Sequence, residues 1–414
     1  MRPHVSNILN YHILMNTFSF VDEELELLSI QGLKRELKTV LTAGGPWAEI
    51  EGGKRVLQFA SNNYLGLANH PEISNASKSA VSKYGTGSTG SRLLSGTTEL
   101  HMQLEKTIAE FENTESSIFF SSGYLANVGV LSSLINKDDV VYSDELNHAS
   151  IIDGIRLSGA SKFIYNHNDF KHLEELIKEN KDKHKRNFIV TDTVFSMNGD
   201  IAPLAEIGLI AQKNNCITIV DEAHATGVFG KRGAGIIEEL SLEKYFPIKI
   251  GTCSKAVGVE GGFCAGPKNV IELLQNKARA FMFSTSPSPQ VLGAILKSIE
   301  LIKDGSWRRE KLWENAEFLY KALKKNFKLK LNEFKTPIII VYFNTIEEAV
   351  YISSKLFNEC HIWAPAIRPP SVKEPRIRLT PISTHSEDDV QFVIKAFDYL
   401  SKDIKLLPLV SSKL

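Results

Sequence analysis

The chain has little that would staple or anchor it. It carries four cysteines in 414 residues, Cys216, Cys253, Cys264 and Cys360, and no C-x-x-C pair. Scattered cysteines in a long chain fit a reducing compartment and small buried hydrophobes, and their spacing does not suit zinc. There is no excess charge of either sign, because Lys+Arg and Asp+Glu both number 48. A dedicated nucleic-acid binder would carry a basic surplus, and a membrane-surface protein a polybasic face. No apolar run reaches the ~18 residues of a membrane span. No G-x-x-x-x-G-K-[ST] occurs, so a P-loop is unsupported. The stretch Gly85-Thr86-Gly87-Ser88-Thr89-Gly90 departs from the dinucleotide spacing and lacks a clear preceding strand. No internal repeat or low-complexity tract is visible.

The ends carry weak signals. Residues 1–21 contain no acid and one strong base, Arg2, and Asn7, Asn10, His12 and Asn16 interrupt any apolar stretch. A secretory signal needs a cationic start and an unbroken apolar run, and a transit peptide more arginine. The expectation is a disordered extension, with Met15 as an alternative start. The last three residues, Ser412-Lys413-Leu414, form a peroxisomal address in a eukaryote and mean nothing in a bacterium. Otherwise the expected location is the cytoplasm.

What is present is the composition of a folded protein. Hydrophobic residues make up 43% and charged residues 23%. A chain of this length buries enough surface to fold without a disulfide or metal. Strand-like runs at Ser117–Ser121, Val140–Ser143, Phe163–Tyr165, Phe188–Thr191, Cys216–Val220 and Ile248–Thr252 alternate with helical patterns such as Leu173–Lys181 and Leu204–Lys213. That alternation predicts an α/β fold with a parallel sheet covered on both faces. After about residue 300 the rhythm changes. A helical stretch, Trp307–Lys325, precedes short strands at Pro337–Phe343 and Arg376–Leu379 and helices at Ile346–Asn358 and Ser386–Leu400. The division we expect is an extension at 1–21, a helix (Asp22–Leu41) and short strands within 22–60, a large domain at 61–300, a smaller α+β domain at 301–405 and a tail at 406–414.

Position is the informative observation. Five strand-like runs end in polar clusters: Ser121-Ser122-Gly123-Tyr124, Asp144-Glu145-Leu146-Asn147-His148, Asp192 with Ser196, Asp221-Glu222-Ala223-His224, and Cys253-Ser254-Lys255. Ligands of open α/β sheets bind at the carboxyl ends of the strands. Gly123 opens a helix whose free N–H groups and dipole suit a phosphate, and Thr252 and Ser254 add hydroxyls. Lys255 ends a strand among small residues, where desolvation lowers a lysine pKa for Schiff-base chemistry. Asp221 closes the apolar run Ile217-Thr218-Ile219-Val220. A carboxylate there is costly unless it meets a cation, such as a protonated pyridine nitrogen. Together these describe pyridoxal 5′-phosphate. Singly, each residue also has a structural reading: a hydrogen-bonded Asp221–His224 pair, a loop histidine at 148, a solvated lysine at 255. A non-catalytic binding or scaffold protein on the same fold stays open, although it would not need that lysine.

Several motifs carry a family resemblance. Ser61-Asn62-Asn63-Tyr64-Leu65-Gly66-Leu67, the glycine-rich region from Gly85 to Gly96, Val220-Asp221-Glu222-Ala223-His224-Ala225-Thr226-Gly227 and Gly251-Thr252-Cys253-Ser254-Lys255 resemble the α-oxoamine synthases over roughly residues 22–400. The resemblance implies the aspartate-aminotransferase-like fold (pyridoxal-phosphate fold type I), with a mainly parallel seven-stranded sheet and a smaller α+β domain. The run Pro365-Ala366-Ile367-Arg368-Pro369-Pro370, followed by Ser371 where the family commonly has Thr, resembles the members that condense L-alanine with a pimeloyl thioester carried by CoA or acyl-carrier protein. Sister enzymes condense glycine with acetyl-CoA, and the shared catalytic residues do not separate the two.

The resemblance also implies roles. Lys255 joins the cofactor's aldehyde and acts as general base, Asp221 pairs with the ring nitrogen, and His148 stacks on the ring. His224 and Ser196 meet the phenolic oxygen, with Asp192 beside them. Gly123, Tyr124 and Thr252 hold the phosphate, with Thr285 lent by a second subunit of a homodimer. Arg378 takes the amino-acid carboxylate, with Asn62 nearby. Arg35 and Ser371 meet the acyl substrate. No metal, nucleic acid or membrane is implied.

Overall fold

The computed structural model describes residues 17–31, 33–327 and 329–401. Met15, most of the expected N-terminal extension, the C-terminal tail and Ser412-Lys413-Leu414 lie outside them.

Short strands near the start, β1 (Trp47–Ile50) and β2 (Lys54–Gln58), form a hairpin. The middle of the chain gives β3 (Ser116–Phe120), β4 (Val140–Asp144), β5 (Ser161–Tyr165), β6 (Asn187–Asp192), β7 (Ile217–Asp221), β8 (Ile248–Thr252) and β9 (Gly262–Gly266). These form one seven-stranded sheet in the order β3-β9-β8-β7-β6-β4-β5. Pairing is parallel from β8 through β7, β6 and β4 to β5, and antiparallel only where β9 meets β3 and β8. The sheet is therefore mainly parallel, and the fold is α/β. Helices cover both faces. Apolar side chains pack on one face around Phe119, Tyr142, Ile189 and Val220 and on the other around Ile118, Val141, Val190 and Ile219. Both faces being buried explains the near-continuous apolar runs.

The chain ends in a smaller unit with β10 (Ile339–Tyr342), β11 (Ile362–Trp363), β12 (Ala366–Ile367) and β13 (Arg376–Leu379). The antiparallel order β10-β13-β12 makes one sheet, and β11 adds to the β1–β2 hairpin in parallel. Leu57 and Phe59 share a core with Leu319, Ile339, Leu356, Ile377 and Phe397. The N-terminal strands thus belong structurally with the C-terminal unit.

Two expectations need correction. The N-terminal helix spans Ser19–Ile30, not Asp22–Leu41, so it begins inside the segment expected to be disordered. Its C-terminus is capped when Leu33 N and Lys34 N donate to the Leu28 carbonyl. Beyond it the backbone pairs with β1, with Leu41 N bonded to Glu49 O and Glu51 N to Thr39 O. Edge pairing overrides the helical pattern of Leu33–Leu41. The helix also buries none of its residues.

Candidate active site

The parallel strands deliver their last residues to one edge. Asp192 and Asp221 end β6 and β7 in direct register, and Asp221 lies opposite Ile250 of β8, two residues before Thr252. Asp221 is buried. Its Oδ2 accepts from Asn127 Nδ2 at 2.6 Å and its Oδ1 from Ala223 N at 2.7 Å. The next residue, Glu222, faces away and accepts from the backbone N–H groups of Ile236 and Ile237. That alternation is the period of a strand end. Lys255 follows β8 and is half-buried. Burial pulls its pKa down to about 8, opposed by Asp221 and Asp192.

Asp192 connects the floor to the His148 turn. Its Oδ2 accepts from His148 N at 2.7 Å, and its own N–H donates to Asn147 Oδ1 at 2.9 Å. Burial, and then Asp221, hold the Asp192 carboxyl well above its ordinary range. The His148 ring stays exposed, with Nδ1 at 2.7 Å from Ser150 Oγ. That leaves a ring face open to a planar ligand.

The anion end lies at the helix Gly123–Leu134. Ser122 caps it by accepting from Leu125 N at 3.1 Å, and no acid occupies its first turn. A Cβ on Gly123 would meet Thr252 Oγ1 at 2.9 Å, so only glycine permits this approach. Thr252 Oγ1 lies 2.8 Å from Ser254 Oγ. Backbone donors and hydroxyls therefore converge where a phosphate would sit. Tyr124 follows Gly123 in the first helical turn, and its exposed hydroxyl donates to Asp153.

A second cluster reaches in from the smaller unit. Arg378, on β13, is buried, and its Nε donates to Ser196 O at 2.8 Å, Nη1 to Thr380 Oγ1 at 2.8 Å and Nη2 to Asn62 Oδ1 at 2.9 Å. Nη2 also reaches Tyr64 Oη at 3.3 Å, and that hydroxyl lies 2.8 Å from His224 Nδ1. Burial, followed by Lys255 and Arg378, drives the His224 pKa well below its ordinary value, so the ring is neutral.

These two clusters bring together Gly123, Tyr124, His148, Asp192, Ser196, Asp221, His224, Thr252, Lys255, Asn62 and Arg378. Arg35 and Ser371 form a separate exposed pair, with Arg35 Nη2 donating to Ser371 Oγ at 3.3 Å. Thr285 is exposed and bridges Ser91. Among the described residues it makes no hydrogen bond to the Lys255 cluster. The sequence reading missed Asn127, which donates to both Asp221 and Ser150 while its own buried Oδ1 has no partner. A lone amide in the apolar run Leu125–Leu131 was the available signal. Tyr64, within the Ser61–Leu67 motif, is the link between His224 and Arg378.

The set fits pyridoxal phosphate. A buried carboxylate without a cationic hydrogen-bond partner awaits a ring N–H, a lysine of lowered pKa awaits an aldehyde, and a glycine-lined helix N-terminus awaits a phosphate.

Residues 54–397 match the family model for class I and II aminotransferases. An 8-amino-7-oxononanoate synthase from Thermosipho melanesiensis is 41% identical over 95% of this chain and 100% of its own. A serine palmitoyltransferase from S. paucimobilis, solved with bound PLP–myriocin aldimine, superposes with a TM-score of 0.89 at 30% identity, covering 95% of this chain and 100% of that one. An 8-amino-7-oxononanoate synthase from Francisella tularensis superposes with a TM-score of 0.74 at 30% identity, covering 84% and 98%.

Proposed function

The chain belongs to the class I and II aminotransferase family, in its α-oxoamine synthase branch, and from that premise we propose that it condenses L-alanine with a pimeloyl thioester. The products are 8-amino-7-oxononanoate, carbon dioxide and the carrier thiol, an early step of biotin synthesis. It is an acyltransferase that uses pyridoxal phosphate. The observation that carries the substrate assignment is the 41% identity over nearly the whole chain to a synthase of that name. The higher TM-score to serine palmitoyltransferase reports a shared fold, at only 30% identity.

When bound, pyridoxal phosphate supplies the electron sink for the negative charge left at the amino acid's Cα. The protein does the rest. Asp221, aimed by Asn127 and Ala223 N, holds a proton at the ring nitrogen. Lys255 moves the Cα proton, and its pKa near 8 suits a base working close to neutrality. His148 covers the ring face. Neutral His224 and Ser196 meet the ring oxygen, with Asp192 behind. Gly123 N, Tyr124 N, Thr252 and Ser254 hold the phosphate. Arg378 and Asn62 receive the substrate carboxylate, and Arg35, Arg368 and Ser371 are the candidates to meet the far carboxylate of the acyl chain.

The assembly we infer is a homodimer in which Thr285 completes the partner's phosphate site. Supporting it, Phe283 beside that loop is 69% exposed, and the helix Ser19–Ile30 leaves Phe20, Leu25 and Ile30 uncovered. A fully active monomer in sedimentation would overturn this. Among the described residues no helix is long and apolar enough to cross a membrane, and the charge balance supports a cytoplasmic location.

Expression in a biotin auxotroph lacking this step tests the assignment. Rescue by the native chain and none by Lys255→Ala is the expected result. No rescue, with turnover of glycine and acetyl-CoA, would move the assignment to glycine C-acetyltransferase.

A further inference from the structure

His167 lies outside every motif used above. Its ring sits between two carboxylates, Nδ1 at 2.9 Å from Asp144 Oδ1 and Nε2 at 2.7 Å from Asp200 Oδ2. A neutral imidazole has one N–H and one lone pair, so one carboxylate would face a lone pair. Only the imidazolium donates to both. Burial alone would lower its pKa, but the hydrogen bonds to Asp144 and Asp200 outweigh that and raise it to about 9. Phe195 packs its ring edge-on at 4.5 Å, and Glu145 Oε1 accepts from His167 N at 3.3 Å. Asp144 is fixed independently at the end of β4, where it also accepts from Leu146 N and Asn168 N.

Asp200 is the partner that belongs to a loop, and Asn168 Nδ2 also donates to its Oδ2 at 3.4 Å. Its carbonyl accepts from Phe195 N at 3.0 Å, and Val194 bridges Ile201. The loop closed this way presents four successive carbonyls to the smaller unit. Ser196 O accepts from Arg378, Met197 O from Arg376, Asn198 O from Asn332 and Gly199 O from Thr336, at 2.8, 2.9, 3.0 and 2.7 Å. Gly199 has φ of +69°, and a Cβ there would lie 2.6 Å from Ile338 O. The loop is thus shaped to carry these contacts, and on its large-domain side the shortest side-chain tie is His167 to Asp200 at 2.7 Å, with Asn168 adding longer bonds of 3.4 Å to Asp200 and Ile201.

We propose that His167 is a positioning residue for amino-acid binding: clamped between Asp144 and Asp200, it sets the Ser196–Gly199 loop that orients Arg378. The proposal rests on the reading that Arg378 receives the amino-acid carboxylate. Without the imidazolium, Asp144 and Asp200 lose their shared cation, the loop loosens at its Asp200 end, and the Ser196 carbonyl no longer fixes the guanidinium. Asp221, Lys255 and the Gly123 helix do not touch the loop's anchor, so the cofactor stays bound, while Ser196, which lies on the loop, loses its fixed place beside the ring oxygen.

The test uses pyridoxal-phosphate-loaded enzyme titrated with L-alanine and followed by the change in visible absorbance. For His167→Gln the alanine dissociation constant should rise roughly tenfold, which is about 1.4 kcal/mol. The cofactor should stay bound, with at most a small shift of its absorbance maximum from the displaced Ser196, and kcat at saturating alanine should fall far less than the alanine constant rises. His167→Gln/Asp200→Asn, which replaces the stranded carboxylate with an amide that pairs with glutamine, should recover most of the loss. An unchanged alanine constant in His167→Gln would overturn the proposal, as would a double variant that loses more than the single one. If His167→Gln does not fold, Asp200→Asn carries the test by breaking the same ion pair from the other side. If wild type responds to another amino acid and not to alanine, the substrate reading fails, and the His167 comparison is made with that amino acid.

Discussion

Asp221 and Arg35 are both charged and both proposed to meet a ligand, yet their surroundings are opposite. Asp221 ends a central strand, is buried, and has both oxygens occupied at 2.6 and 2.7 Å. Arg35 lies in an extended segment after a helix, is exposed, and has one bond at 3.3 Å to an exposed serine. A charge held in a dry, preorganised place interacts strongly, whereas an exposed one is screened and mobile. The comparison teaches how labour is divided. On the roles proposed, cofactor chemistry would sit on rigid strand ends and acyl-chain preference on surface loops that can change without disturbing it.

The sharpest way to break that comparison is at Lys255. Lys255→Ala should abolish condensation and the covalent product trapped by borohydride, and retained trapping would mean another lysine is the anchor. Its lowered pKa adds a pH signature. Only the free amine attacks an aldehyde, so capture of pyridoxal phosphate by the cofactor-free protein should accelerate as pH rises and level off above about 8. A midpoint near the ordinary 10.5 would place the lysine in solvent rather than in the desolvated site.

A smaller effect is expected at Asp221. In Asp221→Asn the side-chain amide must turn an N–H toward Asn127 Nδ2 or Ala223 N, both donors, and no charge remains to hold the ring proton. Losing one charge-assisted bond in a dry site costs roughly 1.5–3 kcal/mol. Turnover should therefore fall at least roughly tenfold while cofactor absorbance persists. Near-native kcat would remove Asp221 from the role. At the exposed end, Arg35→Ala should raise KM for pimeloyl thioester only about two- to fivefold and leave kcat alone, as expected of a solvent-screened contact. A drop in kcat matching that of Asp221→Asn would erase the distinction between the two regions.

The same contrast explains what was legible in the sequence. Strands buried on both faces must be apolar and β-branched, so β4, β6, β7 and β8 stand out, and the polar residues after them mark the binding edge. The strand β9 was invisible. Its residues, Gly262-Phe263-Cys264-Ala265-Gly266, are mostly small, carry no alternation, and fit because their neighbours press close. The helical periodicity of Asp22–Leu41 continues past Ile30, where the helix ends, because strand pairing at residues 39–41 decides the backbone. Asn127 and His167 escaped because their roles depend on contacts across the fold: Asn127 reaches 94 residues along the chain to Asp221, and His167 reaches 33 to Asp200. No local spacing records either.

The central claim is that this site joins L-alanine to a pimeloyl thioester. The most direct measurement is thiol release by the pyridoxal-phosphate-loaded enzyme with a matrix of alanine, glycine and serine against pimeloyl, acetyl and palmitoyl thioesters. Even in an apolar pocket one methyl gives only ~1–3 kcal/mol of selectivity, so the amino-acid preference should be modest. The acyl preference should be clearer. We expect pimeloyl thioester to exceed acetyl-CoA by at least roughly tenfold in kcat/KM, the equivalent of ~1.4 kcal/mol. Equal or better turnover of glycine with acetyl-CoA, or of serine with the palmitoyl thioester, would contradict it.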